Sequence, residues 1–256
     1  MKKQIIKITL PILLLACMGF NFLQPEKLHV YLIGDSTVSD KKLVAYPETG
    51  WGMPFSKFFD TASTVVSNRA QNGRSTKSFM ADNLWEPIVS ELRKGDLVLI
   101  QFGHNDEVKT KAQATTEQEF QLNLQKYVAD TRAKGAIPVL ITPPARRSFD
   151  LAGKLEDTHK VYSSLVREIA KKEKVELIDL DWQSQEILRS FGTEDSKWLF
   201  NYLKPGEHPN YPEGKTDNTH FNELGARKMA EVVYKALKEQ NIGNISEHFF
   251  KPKPKK

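Results

Sequence analysis

A serine at position 36, in Gly34-Asp35-Ser36-Thr37, and a histidine at position 220, in Asp217-Asn218-Thr219-His220, are the residues of this chain best suited to acyl-transfer chemistry. A serine hydroxyl attacks a carbonyl well only when a base takes its proton, and an imidazole can do so near neutral pH. An aspartate three residues before a histidine can set its carboxylate against the imidazole on a turn. That fixes the tautomer and stabilises the imidazolium formed during attack. Gly73, in Asn72-Gly73-Arg74-Ser75, lets the backbone approach a substrate closely and offers its N–H. Asn105, in Gly103-His104-Asn105-Asp106, offers a side-chain amide to a developing oxyanion. Each segment alone suits an ordinary capped or polar turn equally well. Together they supply a nucleophile (Ser36), a base (His220), an orienting carboxylate (Asp217) and three oxyanion donors (Ser36 and Gly73 through their N–H groups, Asn105 through its side chain). Asp35 and Asp106 are expected to order turns.

Such groups must be brought together by the elements that carry them. Short apolar runs at residues 29–33, 64–67, 96–102, 137–142 and 175–180 alternate with amphipathic segments at 78–93, 117–134, 157–172 and 222–239. Pro87 is expected to kink or split the first of these helices. In the last, Leu224, Met229, Val232, Val233 and Leu237 form an apolar stripe. Runs that are apolar on both faces predict strands covered on both sides. The alternation therefore predicts a three-layer α/β/α sandwich around a five-stranded parallel sheet. Ligands of such sheets collect at the carboxyl ends of the strands, where Ser36, Gly73 and Asn105 fall. Residues 190–212, rich in aromatics, Pro and Gly, are expected to form a structured loop near the site.

The net charge of +5 resides in the tails. Lys2, Lys3, Lys7, Lys251, Lys253, Lys255 and Lys256 account for it, and the remainder holds 30 basic against 32 acidic residues. This balance argues against a nucleic-acid-binding face. Residues 1–23 read as an export signal, with lysines followed by a short apolar core. Cys17, the single cysteine, ends Leu14-Leu15-Ala16-Cys17, which resembles a bacterial lipobox. It is then either the lipidated first residue of the mature chain or a leader cysteine. The expected division is a leader at 1–23, a catalytic domain at 24–245 and a basic tail at 246–256. The expected location is periplasmic, extracellular or lipid-anchored.

Taken in order, Ser36, Gly73, Asn105 and His220 match the Ser, Gly, Asn and His blocks of the SGNH/GDSL hydrolases, which the chain resembles from residue 29 to about residue 238. The resemblance implies a flavodoxin-like sheet and ester hydrolysis without metal or cofactor. No Gly-x-Ser-x-Gly elbow surrounds Ser36, which sets the chain apart from the α/β-hydrolases. Longer stretches resemble the rhamnogalacturonan acetylesterases, carbohydrate esterases that remove acetyl groups from pectin. These are Gly34-Asp-Ser-Thr37, Gly50-Trp-Gly52, Asn72-Gly-Arg-Ser75, Phe102-Gly-His-Asn-Asp106, Thr142-Pro-Pro-Ala-Arg-Arg147 and Asp217-Asn-Thr-His-Phe-Asn222.

That likeness implies a serine esterase acting on an acetylated polysaccharide or oligosaccharide, and the chain is expected to be a monomer with no nucleic-acid partner and no membrane contact beyond an anchor at Cys17. Acetylxylan or another acetylated sugar stays open as substrate. So do a lipase or thioesterase of the same superfamily and a non-catalytic carbohydrate-binding protein on the same fold. Trp51, Arg74, His104, Arg146 and Arg147 are candidate substrate-binding residues. Trp51 would stack on a sugar or pack in the core. The arginines would meet uronate carboxylates or form structural ion pairs.

Overall fold

The computed structural model describes residues 26–251. The leader and the Cys17 lipobox lie outside the described residues. Five strands form one parallel sheet: β1 (Leu28–Gly34), β2 (Thr64–Asn68), β3 (Leu97–Gln101), β4 (Ile137–Ile141) and β5 (Glu176–Ile178). Their order is β2-β1-β3-β4-β5, the flavodoxin-like arrangement. The chain reverses direction across the sheet at β1, which pairs with β2 on one side and β3 on the other.

Alternation along each strand feeds two cores. Val30, Leu32, Leu97, Leu99, Val139 and Ile141 face one side, and Tyr31, Ile33, Val98, Ile100 and Leu140 face the other. On the first side they meet α1 (Gly52–Phe55), α6 (Leu180–Asp195) and α7 (Glu223–Gln240) through Phe55, Leu188, Met229, Val233 and Leu237. The second side is covered by α2 (Thr76–Ala81), α3 (Trp85–Glu91), α4 (Glu117–Ala133) and α5 (Lys160–Glu173). Each buried Val, Leu or Ile adds about 1.5–3 kcal/mol, so both faces must be covered for the sheet to persist. This is the three-layer sandwich expected from the sequence.

Several boundaries differ. The 78–93 segment is two helices, but the break falls at Asn83, which takes a left-handed φ of 54°. Pro87 sits in the first turn of α3, where its missing N–H costs nothing. The fifth strand stops early because the Asp179 carboxylate accepts from the Trp182 N–H and caps α6. Leu224 is 48% exposed and leaves the α7 stripe.

Residues 190–212 are more regular than expected. They hold the end of α6 and β6 (Phe200–Leu203), which pairs antiparallel with β7 (Lys215–Phe221). The expected boundary at 245 is also too early. Phe249 is 5% exposed, packs on Tyr234 and bridges to Phe59, so the domain runs at least that far.

Candidate active site

The nucleophile turn follows β1 directly. Asp35 is enclosed, and its Oδ1 accepts from the Thr37 N–H at 2.9 Å and the Thr37 hydroxyl at 2.8 Å. Its carbonyl accepts from the Val38 and Ser39 N–H groups. This tight turn leaves Ser36 facing the cleft, as expected of Asp35. Burial pushes the Asp35 carboxyl above its ordinary range, against the opposing effect of the Thr37 hydrogen bonds. A buried chain supports the turn from beneath: Trp51 Nε1 donates to Gln101 Oε1 at 2.8 Å, and Gln101 Nε2 donates to Thr37 Oγ1 at 3.0 Å.

The hairpin carries the other half. Phe200 pairs with Phe221 and Tyr202 with Thr216, so residues 217–220 bulge out opposite the single residue Asn201. Asp217 and His220 therefore come from a bulged strand, where the sequence suggested a turn. The Asp217 carboxylate accepts from the Thr219 N–H at 2.8 Å, the His220 N–H at 2.9 Å and His220 Nδ1 at 2.9 Å. Burial pushes this carboxyl up, but the His220 side-chain and backbone hydrogen bonds outweigh that and hold it well below the usual carboxylate range. With Nδ1 donating to Asp217, His220 Nε2 is the acceptor for the Ser36 hydroxyl, 2.9 Å away.

Of the expected oxyanion donors, Asn105 lines the same cleft as this pair, and Gly73 stands on the loop after β2, which the Gln71 N–H ties to the Gly34 carbonyl at 3.1 Å. Gly73 has φ 75°, a left-handed conformation that favours glycine, and nothing would meet a Cβ there within 4 Å. Conformation, not crowding, selects the residue. Among the described residues, no acceptor engages the N–H of Ser36 or of Gly73. Asn105 Nδ2 donates to the Arg74 carbonyl at 3.0 Å, and its Oδ1 accepts from Lys111 Nζ at 2.9 Å. Flipping the amide would set acceptor against acceptor and donor against donor, so its orientation is fixed and one N–H remains for a ligand. Asp106 accepts from the Thr76 N–H and hydroxyl and from the Thr115 hydroxyl, as a turn residue should. Burial pushes its carboxyl up to about 7.

Ser36, Asn105 and His220 open onto a cleft of about 1360 Å³ whose walls also include Glu107, Lys111 and Arg146, while Gly73 stands outside that lining. The expected substrate-contacting residues fare differently. Trp51 is 0% exposed and packs edge-on against Phe55, so it belongs to the core. His104 borders the cleft, but both its ring nitrogens are enclosed and its ring meets His159 edge-on at 4.4 Å. Burial drives its pKa well below the ordinary histidine value, which keeps it neutral.

Arg146 also lines the cleft, yet its donors are committed to Thr219 Oγ1 at 2.8 Å, the His104 carbonyl at 3.1 Å and Glu107 at 3.0 Å. It ties the Asn105 loop to the His220 loop. Arg147 lies outside the cleft lining and braces the bulge from behind. Its backbone donates to the Asn218 carbonyl at 2.8 Å, and its guanidinium reaches Asn218 Oδ1, Tyr202 Oη, Ser196 Oγ and the Thr193 carbonyl. Arg74 likewise lies outside that lining and pairs with Asp82 at 2.9 Å. Among the described residues, no three His, Cys, Asp or Glu side chains cluster as metal ligands would.

Sequence reasoning missed Lys41, Gln101, Glu107 and Lys111. Their roles depend on burial and on partners far along the chain, and no local pattern marks them.

A serine, an imidazole and a carboxylate in hydrogen-bonded series, set at the switch point of a parallel sheet with spare N–H donors beside them, define a serine acyl hydrolase. The chain belongs to the GDSL-like lipase/acylhydrolase family, whose pattern matches residues 32–228.

It is 39% identical over 219 residues to the rhamnogalacturonan acetylesterase RhgT of Bacillus subtilis (strain 168), covering 85% of this chain and 92% of that protein. A probable rhamnogalacturonan acetylesterase of the same organism, YesY, is 34% identical over 84% of this chain and 94% of its own length. The crystal structure of YxiM from Bacillus subtilis superposes with a TM-score of 0.72 at 28% identity. The match covers 84% of this chain and 57% of that one, so the chain spans little more than half of that protein. The acetylxylan esterase Axe2 of Geobacillus stearothermophilus shares the fold, with a TM-score of 0.59 at 16% identity over 84% of this chain and 96% of that one.

Proposed function

We propose that this esterase removes acetyl groups from a carbohydrate polymer, most specifically acetylated rhamnogalacturonan. The 2.9 Å contact between His220 Nε2 and Ser36 Oγ at the floor of an open cleft carries the chemical part of this reading. Ser36 Oγ attacks the acetyl carbonyl while its proton passes to His220 Nε2. Asp217 stabilises the imidazolium. The tetrahedral oxyanion is held by the Ser36 N–H, the Gly73 N–H and Asn105 Nδ2, each such donor lowering the barrier by about 3 kcal/mol. The bond to the sugar oxygen then breaks as His220 returns the proton to it. Water repeats the sequence on the acetyl-enzyme, and acetate leaves.

The substrate part is supported by the two relatives above that carry the rhamnogalacturonan acetylesterase name, and by the cleft walls. The walls mix charged side chains, Lys111 and Glu117 among them, with Val108, Val161 and Tyr162, a lining that can meet both the hydroxyls and the apolar faces of a sugar. A leader at residues 1–23 would suit a polymer that remains outside the cell.

Acetate release from a panel of acetylated polysaccharides tests the reading. Rhamnogalacturonan is expected to exceed acetylxylan, and the reverse ranking would transfer the assignment to xylan. Ser36→Ala is expected to abolish release while leaving the circular dichroism spectrum unchanged, whereas near-normal release from that variant would end the mechanism.

A further inference from the structure

The two backbone N–H groups assigned to the oxyanion come from different loops, Ser36 from the turn after β1 and Gly73 from the loop after β2. Their spacing is therefore not set by covalent geometry. A backbone bond from the Gln71 N–H to the Gly34 carbonyl at 3.1 Å joins the loops at their base, and beside Gly73 a side-chain atom joins them again: Asn72 Oδ1 accepts from Ser39 Oγ at 2.5 Å and from Lys41 Nζ at 2.7 Å. Ser39 belongs to the nucleophile turn, since its N–H donates to the Asp35 carbonyl. Asn72 immediately precedes Gly73.

Lys41 is unusual in its own right. Its side chain is only 2% exposed, and its ammonium pairs with Glu48 at 2.8 Å. Withdrawing an ammonium from water is costly, and an ion pair rarely returns more than that cost as stability. Such a pair persists where it defines geometry. We infer that Lys41, anchored by Glu48, is a positioning residue that holds Asn72 against Ser39 and so sets the distance between the Ser36 and Gly73 N–H donors.

This inference rests on the esterase reading and on the oxyanion roles proposed above. Lys41 touches no reacting atom. Its loss should let the Gly73 loop drift from the nucleophile turn, and a displacement near 1 Å at such a site costs on the order of 100-fold in rate. The donors act on the transition state, so the loss should fall on kcat and leave KM largely unchanged.

Hydrolysis of p-nitrophenyl acetate by the full chain provides the test, with Ser36→Ala run alongside. Lys41→Met would leave the largely enclosed Glu48 carboxylate without its partner, so Lys41→Met combined with Glu48→Met is measured as well, removing both charges together. The folded double variant is expected to lose about 10- to 100-fold in kcat at nearly constant KM. Lys41→Arg is expected to recover part of it. Asn72→Ala should give a loss of similar size, and adding the Lys41 and Glu48 substitutions to it should cost little more.

A folded double variant with wild-type kcat would overturn the inference, as would full additivity with Asn72→Ala. Activity persisting in Ser36→Ala would overturn the esterase reading itself, which separates the two failures.

Discussion

The Asp217 carboxylate is held well below its ordinary range by the His220 hydrogen bonds and backbone donors, although burial works against this. A carboxyl whose folded pKa is depressed contributes stability above its unfolded value and loses it as the pH falls through the folded one. Asp217 therefore stays ionised across the range in which an imidazole takes up a proton. Loss of activity on acidification is therefore expected to come from groups other than Asp217, with Asp106, pushed up to about 7 by burial, among them. A profile of log kcat/KM against pH that is unchanged in Asp106→Asn would exclude that carboxyl.

Asp217→Asn should cost about 10³- to 10⁴-fold in kcat, because an amide in that place favours the tautomer whose Nε2 carries the proton. A stopped assay over several pH values checks both outcomes. At this scale the sequence was most legible where a residue has a chemical duty that only its type can perform. Ser36, His220 and Asp217 meet in one hydrogen-bonded series, as the spacing of their motifs suggested they could. Trp51 and the arginines misled because stacking on sugar, packing in a core and bracing a loop all use the same side chains. Lys41 left no trace, since a lysine beside a second lysine reads as solvated surface until its burial is known.

Among the elements, the β6–β7 hairpin has the greatest influence on the site. Its bulge sets Asp217 and His220 on one short excursion, and two consecutive arginines secure it from opposite sides. Arg147 holds Asn218 and stacks on Tyr202 with its Cζ 5.2 Å from the ring centroid, while Arg146 reaches Thr219. Arg147→Met keeps a long apolar stem but gives up the guanidinium bonds. It is expected to lower kcat about tenfold or more through a misaligned imidazole, with only a modest fall in melting temperature. An unchanged kcat would show that the bulge holds its shape unaided.

The hairpin was also the element least visible in the sequence. Lys215–Phe221 has no alternating apolar pattern because the bulge breaks the two-residue period. The α6 helix was hidden partly by Gly192, whose φ of 70° interrupts it. The parallel strands were legible because burial on both faces leaves continuous apolar runs. Their spatial order was not, because adjacency across a sheet is decided by crossovers that leave no local mark.

For the molecule as a whole, the fold continues past the last long helix. Phe249 sits against Phe59 and Tyr234 beneath the sheet layer formed with α7. Phe249→Ala is expected to cost about 3–5 kcal/mol, measured by urea or thermal unfolding, with little effect on kcat of the folded enzyme. A cost below about 1 kcal/mol would place this residue outside the cooperative core.

The Ser36–His220 contact has one more consequence. It joins positions 184 apart in the chain, across every strand of the main sheet and the late hairpin. A polypeptide that had completed the β1 turn, or even the full sheet, would hold a chemically ordinary alcohol. Reactivity arrives only once the hairpin that carries Asp217 and His220 has docked against the β1 turn. Catalytic turnover can therefore report that docking, and labelling of Ser36 by a serine-directed reagent would count only the chains in which it is complete.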